Sequence, residues 1–272
     1  MRRAPAPAKL NLALVVGPRR GDGRHEVATV LQRVDLADRV EIRPSRRLEV
    51  HGFAADTLVT GALRALAEAA GVESSWRATI TKRIPVASGL GGGSSDAATA
   101  LRLANATLAG PLPRARLVEV ASALGADVPF FLHAGPQLGE GDGRSLSPLV
   151  LPQDFWVVLV LPHGETKAST GAVYQDFEAS GGEAGFEERR RALLDVLDRV
   201  RRPRDLAALP ANDLAASPLT GLLREAGAFR ADVSGAGPAV YGLFARRADA
   251  EAARRGLKRH GRTWLTVPAW YG

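Results

Sequence analysis

Residues 85–96 read Pro85-Val86-Ala87-Ser88-Gly89-Leu90-Gly91-Gly92-Gly93-Ser94-Ser95-Asp96. Before them, Trp76, Ala78 and Ile80 alternate with Arg77, Thr79 and Thr81, the period of a strand. After them, Ala97, Leu101, Ala104 and Leu108 recur at helical spacing, so a helix is expected to start near Ser94–Asp96. Glycines between a strand and a helix let the backbone turn tightly against a ligand. They also leave N–H groups free at the positive end of the helix, which makes a phosphate cradle. Ser94 or Ser95 would cap the helix and offer a hydroxyl to phosphate or to a metal ion. Gly92 is expected to need the positive φ that a β-branched residue resists. A flexible surface loop is the plainer alternative, but glycine loses much entropy on folding unless its freedom is used.

The kind of phosphate loop can be narrowed. A Walker A loop needs Gly-Lys-Ser/Thr, and this segment has no lysine. Ser94 stands where the third glycine of Gly-x-Gly-x-x-Gly would fall, which argues against a dinucleotide fold. Neither His-Arg-Asp nor Asp-Phe-Gly occurs, so the protein-kinase set is absent, and the loop has no Gly-x-Ser-x-Gly.

Phosphoryl transfer asks for positioning, charge stabilisation and a carboxylate to take the alcohol proton. Asp127, in Gly125-Ala126-Asp127-Val128-Pro129, suits that role, although on residue type alone it is more readily a turn aspartate. The chain has only four lysines: Lys9, Lys82, Lys167 and Lys258. Lys9, between prolines and a strand, reads on residue type alone as an exposed terminal lysine. His25, in a polar loop, reads on residue type alone as surface decoration. Tyr174 can stack on a ring or fill the core.

The elements that must position these groups read as mixed α and β. Leu10, Leu12 and Leu14 alternate with Asn11 and Ala13 as in a half-buried strand, and residues 27–34 form a second strand. Residues 40–43 and 48–51 look like a short hairpin. A helix over 60–70 stops at Gly71, and another spans 114–124. Pro148–Asp154 is the expected junction between domains 1–150 and 151–272. Beyond it, residues 156–161 are a continuous apolar run, as in a buried strand. Residues 178–188 read as an exposed loop, and Leu193, Leu197 and Val200 mark a helix. Strand, helix and strand follow at 239–244, 248–257 and 264–267.

Composition sets outer limits. With 46% hydrophobic and 24% charged residues, the 272-residue chain is an ordinary globular protein that buries a full core. It has no cysteine, which excludes thiol nucleophiles, disulfides and cysteine-held metals. The net charge of +7 would draw anions. Its arginines are dispersed, and the runs Arg189–Arg191 and Arg199–Arg204 lack interleaved aromatics, so solvated helix faces are expected rather than a nucleic-acid site. The first fourteen residues, broken by Pro5, Pro7 and Lys9, lack a signal-peptide core. No stretch approaches the ~18 apolar residues of a membrane span. A cytoplasmic protein without membrane partner is expected, and its oligomeric state is left open.

On these residues the chain resembles the GHMP kinases, which phosphorylate small alcohols and acids. The segment from Pro85 to Ser95 is similar to their phosphate loop. Further matches are Pro7-Ala8-Lys9-Leu10-Asn11-Leu12, Asp22-Gly23-Arg24-His25 with Thr29 and Gln32, and Gly125-Ala126-Asp127-Val128-Pro129-Phe130-Phe131. Asn212-Asp213 and Val233-Ser234-Gly235-Ala236-Gly237 follow in the same order, and the likeness covers nearly the whole chain. These segments resemble the branch of the family whose substrate is a cytidyl diphosphate sugar alcohol.

The resemblance implies an α/β (α+β) fold of two domains with the active site in the cleft between them. It implies ATP, accompanied by Mg2+, on residues 85–95, with Lys9 and Asp127 as the catalytic pair. His25 and Tyr174 would hold the cytidine, with Asn11 and Thr170 also at the substrate; metal ligands are not identified. The chain departs from the family at Arg24, usually tyrosine, at Thr57, usually asparagine, and at Ala236 and Pro238, where small hydroxyl residues are common. Two other readings stay open: a homoserine- or mevalonate-type kinase, and a non-catalytic nucleotide- or RNA-binding protein on the same fold.

Overall fold

In the computed structural model residues 1–53, 58–73, 75–164 and 169–269 are described. Thr57 and Lys167 lie outside them. The chain opens with two long antiparallel strands, β1 (Arg2–Arg19) and β2 (His25–Pro44). The two predicted strands fall inside these, at the middle of β1 and in the first half of β2. The ladder slips between Asn11 and Ala13. Such a bulge shifts the side-chain phase by one residue. Leu10, Leu12, Ala13 and Val15 therefore pack in one core, while Leu14 and Val16 pack in another cluster with Val27 and Phe177. Strict alternation had put Leu14 with Leu10 and Leu12. The strand is also buried on both faces rather than one, since Lys9 and Asn11 are buried as well.

Then come β3 (Glu49–His51), α1 (Leu58–Ala70), β4 (Trp76–Thr81), α2 (Gly92–Asn105) and α3 (Arg114–Leu124). The expected hairpin of 40–43 with 48–51 does not form. Val40 pairs with Ala4 on one side and Ile80 on the other, so that stretch has no open edge. β3 instead adds in parallel to β4. The other edge of β2 is divided, with Val27–Leu31 on β5 (Gln137–Gly141) and Arg39–Pro44 on β4. β6 (Ser145–Pro148) closes the sheet. Helices α1–α3 cover it through a core that includes Ile42, Leu63, Leu66, Ile80, Leu101 and Phe130.

The second sheet is wholly antiparallel. It comprises β7 (Trp156–Pro162), β8 (Arg230–Val233), β9 (Val240–Phe244) and β10 (Gly261–Thr266), in the order β10-β7-β9-β8. The predicted buried run is thus an inner strand. Between β7 and β8 run α4 (Thr170–Ala179), α5 (Phe186–Leu197) and α6 (Leu219–Glu225); α7 (Arg247–Leu257) joins β9 to β10. The loop expected at 178–188 is shorter: Glu178 and Ala179 belong to α4 and residues 186–188 open α5. Buried Phe177 and Phe186 anchor the two helices, and Gly181 and Gly185 at positive φ confine the break to a tight turn.

One face of this sheet packs on α6 and α7. The other shares a core with β1, where Leu10 and Leu12 meet Leu159 and Tyr241. The chain end also returns to the first sheet: Asp35 N–H donates to Val267 O and Ala269 N–H to Arg33 O, at 2.9 and 3.0 Å. No helix among the described residues is long and apolar enough to cross a membrane.

Candidate active site

A cleft of about 770 Å3 is lined from both halves of the chain. Its floor is the glycine-rich segment. Gly89 and Gly91 adopt φ of 84° and 68°, and Ala87 one of 55°. Left-handed Gly91 turns the chain straight into α2, which begins at Gly92 with no side-chain cap bond. The helix thus starts two residues earlier than expected. Ser94 and Ser95 lie inside its first turn and cap nothing, and Gly92 is helical rather than left-handed. The N–H groups of a first turn lack helical acceptors, and here that turn faces the cleft through Gly92, Gly93 and Ser94.

Within the segment, Pro85, Val86, Ala87, Ser88, Gly89, Gly91, Gly92, Gly93 and Ser94 line the cleft. Leu90 and Ser95 do not. Leu90 packs in the core, and Ser95 is fully buried with a hydroxyl that has no hydrogen-bond partner among the described residues, so of the two serines only Ser94 lines the cleft.

A second glycine segment locks against the first. A Cβ on Gly89 would stand 2.3 Å from Ser234 O. Instead Ser234 Oγ donates to Gly89 O at 3.1 Å, and Ala239 N–H donates to Ser88 O at 2.9 Å. Asn212 holds this segment from behind, its Nδ2 donating to Gly235 O at 2.6 Å and Val233 O at 3.0 Å.

Lys9 threads between the two segments. Its backbone N–H donates to Leu90 O at 2.9 Å, and a Cβ on Gly91 would meet its Cγ at 2.8 Å. A Cβ on Gly235 would stand 3.4 Å from its Nζ. The ammonium donates to Asn11 Oδ1 at 2.5 Å and lies 3.6 Å from Asp127 Oδ2. Thr29 fixes that arrangement. Its hydroxyl donates to Ala13 O at 2.8 Å, so it accepts from Asn11 Nδ2 at 2.8 Å and leaves Oδ1 for Lys9. Asp127 sits in the turn closed by Val128 N–H to Gly125 O, and 42% of its side chain remains exposed.

The far end of the cleft is built on α4. Ser169 caps that helix, its Oγ accepting from Ala172 N–H at 3.1 Å, and Thr170 lines the cleft. The Tyr174 ring stacks on His25, with centroids 4.9 Å apart. Burial, helped by the charge of Asp127, pushes the Tyr174 phenol up to about 12. Both nitrogens of His25 are engaged. Nδ1 donates to Gly17 O at 2.8 Å, and Nε2 meets Glu178 Oε1 at 2.9 Å. The ring is therefore not free to grip a base edge in this arrangement, against the sequence expectation.

Glu178, Gln175, Asp142, Phe53 and Lys82 also line the cleft and were not found in the sequence. Glu178 falls one helical turn beyond Tyr174, a spacing that would have pointed to it had a helix been read from Thr170 through Glu178. Of the departures, Arg24 lines the cleft paired to Asp142 at 2.7 Å, Ala236 lines it too, and Pro238 does not.

Among the described residues no group of three or more His, Asp or Glu could hold a metal ion. Of the cleft-lining side chains, the Ser94 hydroxyl and the Asp127 carboxylate suit a hard cation, while the Asp96 carboxylate is paired to Lys82. That set fits a magnesium ion that keeps its waters and rides on phosphate oxygens.

A glycine-cradled helix start beside a lysine–carboxylate pair, in a cleft between two α/β layers, defines a small-molecule kinase site. The chain belongs to the GHMP kinase family: residues 57–135 match the model for GHMP kinases N terminal domain and residues 215–263 that for GHMP kinases C terminal. It is 37% identical to the 4-diphosphocytidyl-2-C-methyl-D-erythritol kinase of Geobacter metallireducens, over 96% of this chain and 95% of that one. A solved structure of 4-(cytidine 5'-diphospho)-2C-methyl-D-erythritol kinase superposes with a TM-score of 0.80 at 32% identity, covering 98% and 99% of the two chains. The mevalonate kinase of Methanococcus jannaschii reaches 0.77 at 12% identity over 98% of each chain, a likeness of fold alone.

Proposed function

We propose that the protein transfers the γ-phosphoryl group of ATP to the 2-hydroxyl of 4-diphosphocytidyl-2-C-methyl-D-erythritol, giving ADP and the 2-phosphate on the non-mevalonate route to isoprenoid precursors. The observation that carries this reading is Lys9, held between the two glycine segments, facing Asp127 at 3.6 Å. Relatives of at least 30% identity that cover 96–98% of this chain support the choice of substrate.

In this reading the first turn of α2 and the Ser94 hydroxyl receive the phosphates. Asp127 takes the proton of the attacking hydroxyl, and Lys9 stabilises charge on the transferring group. Mg2+ bound to ATP would supply further charge neutralisation, with Ser94 and Asp127 the side chains placed to meet its shell. At the far end, the Tyr174 ring offers a stacking face for cytosine. His25 supports that ring from behind while Glu178 and Gly17 hold its nitrogens. Asn11 acts on Lys9, and Thr170 borders the substrate path.

A coupled ADP-release assay with the cytidyl substrate, homoserine and mevalonate tests the reading. Turnover confined to the cytidyl compound is expected; preferential turnover of either other alcohol overturns it.

A further inference from the structure

Outside the groups used above, one cluster of buried charge stands at the root of the phosphate loop. Asp38 of β2 and Asp96 of α2 have fully buried carboxylates, and Lys82 bonds to both. Lys82 Nζ meets Asp96 Oδ2 at 2.7 Å and Asp38 Oδ2 on its other side. The second oxygen of Asp38 accepts two backbone N–H groups, Arg83 at 2.5 Å and Ile84 at 2.8 Å.

The place of this cluster in the fold explains it. The β2–β4 ladder ends at the pair Arg39↔Thr81. One residue further, the chain leaves the sheet and its N–H groups lose their ladder acceptors, a cost in a buried setting unless something replaces them. Asp38 replaces them with its side chain. Residues 82–84 lead into the glycine-rich segment and Asp96 follows its last serine, so the cluster ties the two ends of the segment to each other and to β2.

We propose that Asp38 is the positioning residue of the phosphate loop, setting the loop's grip on the triphosphate through Lys82 and the backbone of Arg83 and Ile84. This rests on the reading of residues 85–95 as the triphosphate cradle. The electrostatics agree. Burial pulls the Lys82 ammonium down, but its bonds to Asp38 and Asp96 outweigh that and hold it above its ordinary range. Lys82 also lines the cleft, 3.3 Å from where a Gly92 Cβ would stand, and its ammonium pairs there with Asp96, the carboxylate of the two that lines the cleft as well.

Asp38→Asn tests this, because it keeps the shape and an acceptor for the two N–H groups while removing the charged bond to Lys82. The expected result is a KM for ATP raised about tenfold, with kcat at saturating ATP within about threefold and the KM of the alcohol substrate unchanged. Calorimetry should show ADP and ATP binding weakened and adenosine binding unchanged. A lower melting midpoint with unaltered ATP affinity, or equal weakening of both substrates, overturns the proposal. Should Asp38→Asn fail to fold, Lys82→Met must show the same phosphate-dependent loss, and ATP affinity within twofold of the parent sinks the idea. Where both fold, the double variant should be little worse than the worse single one, since both act through one contact; multiplying effects count against it. If the parent protein shows no preference for ADP over adenosine, the failure lies in the cradle reading and not in Asp38.

Discussion

The ammonium of Lys9 stands 3.6 Å from the carboxylate of Asp127, within ion-pair range but beyond a hydrogen bond. The two come from distant parts of the chain, Lys9 from a buried stretch of β1 and Asp127 from the exposed turn after α3. That separation leaves a place for a hydroxyl that touches both. Asp127→Asn keeps the shape and removes the carboxylate proposed as the base, so kcat should fall by about 10²-fold or more. Affinity for ATP and for the alcohol should change little. Near-normal turnover in single-turnover kinetics would make Asp127 a turn residue only.

Lys9 is aimed by a relay that ends at Thr29, and Thr29→Val should disturb it without touching substrate. Losing the hydroxyl leaves the Asn11 amide free to turn, which costs Lys9 its acceptor. The expected outcome is kcat lowered by roughly tenfold, the scale of one broken buried hydrogen bond. The far-ultraviolet spectrum should not change. Unaltered kcat would show that Lys9 is held by Asp127 and packing alone.

Much of this site was legible because its parts are local. The glycine-rich segment, its strand and its helix are contiguous, and their periodicities fall where the backbone places β4 and α2. What periodicity could not show was register. The bulge after Asn11 turns Leu14 to the opposite face, and no residue type announces it. The pairing of β3 with β4 depended on which edges β1 had already filled. Glu178 and Asp38 were missed for a related reason. Each acts on residues far away in sequence, and an isolated acid on a strand or helix reads as solvated until the fold buries it.

The glycines of the loop divide into those that need their conformation and those that need space. Gly91 needs both, with φ of 68° and the Lys9 side chain 2.8 Å from a Cβ. Gly93 has only Leu58 Cδ1 at 3.4 Å. Gly91→Ala should therefore weaken ATP at least about tenfold and lower kcat as well, since strain of about 1–3 kcal/mol falls on the loop and on Lys9. Gly93→Ala should stay within about threefold in ATP affinity by calorimetry. Equal effects of the two would mean the loop is not held in the described conformation.

A buried phenol gives the fold a sensitivity to base. Burial pushes Tyr241 up to about 12, its hydroxyl donating to Leu12 O and accepting from Arg230 Nε, both at 3.2 Å. An acid whose folded value lies above its unfolded value of about 10 binds its proton more tightly when folded. Its stabilisation is complete below about pH 10 and is lost as pH rises towards 12. Tyr241→Phe removes that titration. The variant should be less stable near neutrality by roughly 1 kcal/mol for the lost hydrogen bonds, yet lose stability less steeply above pH 10 in denaturant titrations. Parallel pH profiles for the two proteins would contradict the assignment.

Substrate identity turns on the ring that faces the cleft from α4. Tyr174 lies on His25, and His25 is pinned by Gly17 O and Glu178, so the ring is fixed before any ligand arrives. A pre-ordered platform costs little entropy on binding. Tyr174→Ala should lose about 1–3 kcal/mol of stacking, the scale for a base deprived of its aromatic partner. By the usual conversion that is a roughly 5- to 150-fold weaker cytidyl substrate. ATP affinity should stay nearly intact, because the glycine-rich segment and α4 are separate parts of the cleft lining. Tyr174→Phe keeps the platform and should bind the cytidyl substrate within about twofold of the parent. His25→Ala removes the support rather than the platform, so its effect should run in the same direction and be smaller than that of Tyr174→Ala. A substrate lacking the cytidine should be poor for the parent and no worse for any of these variants. If Tyr174→Ala instead weakens ATP, or leaves both ligands untouched, cytosine does not stack there. The cytidyl reading of the cleft would then fail while the kinase fold stood.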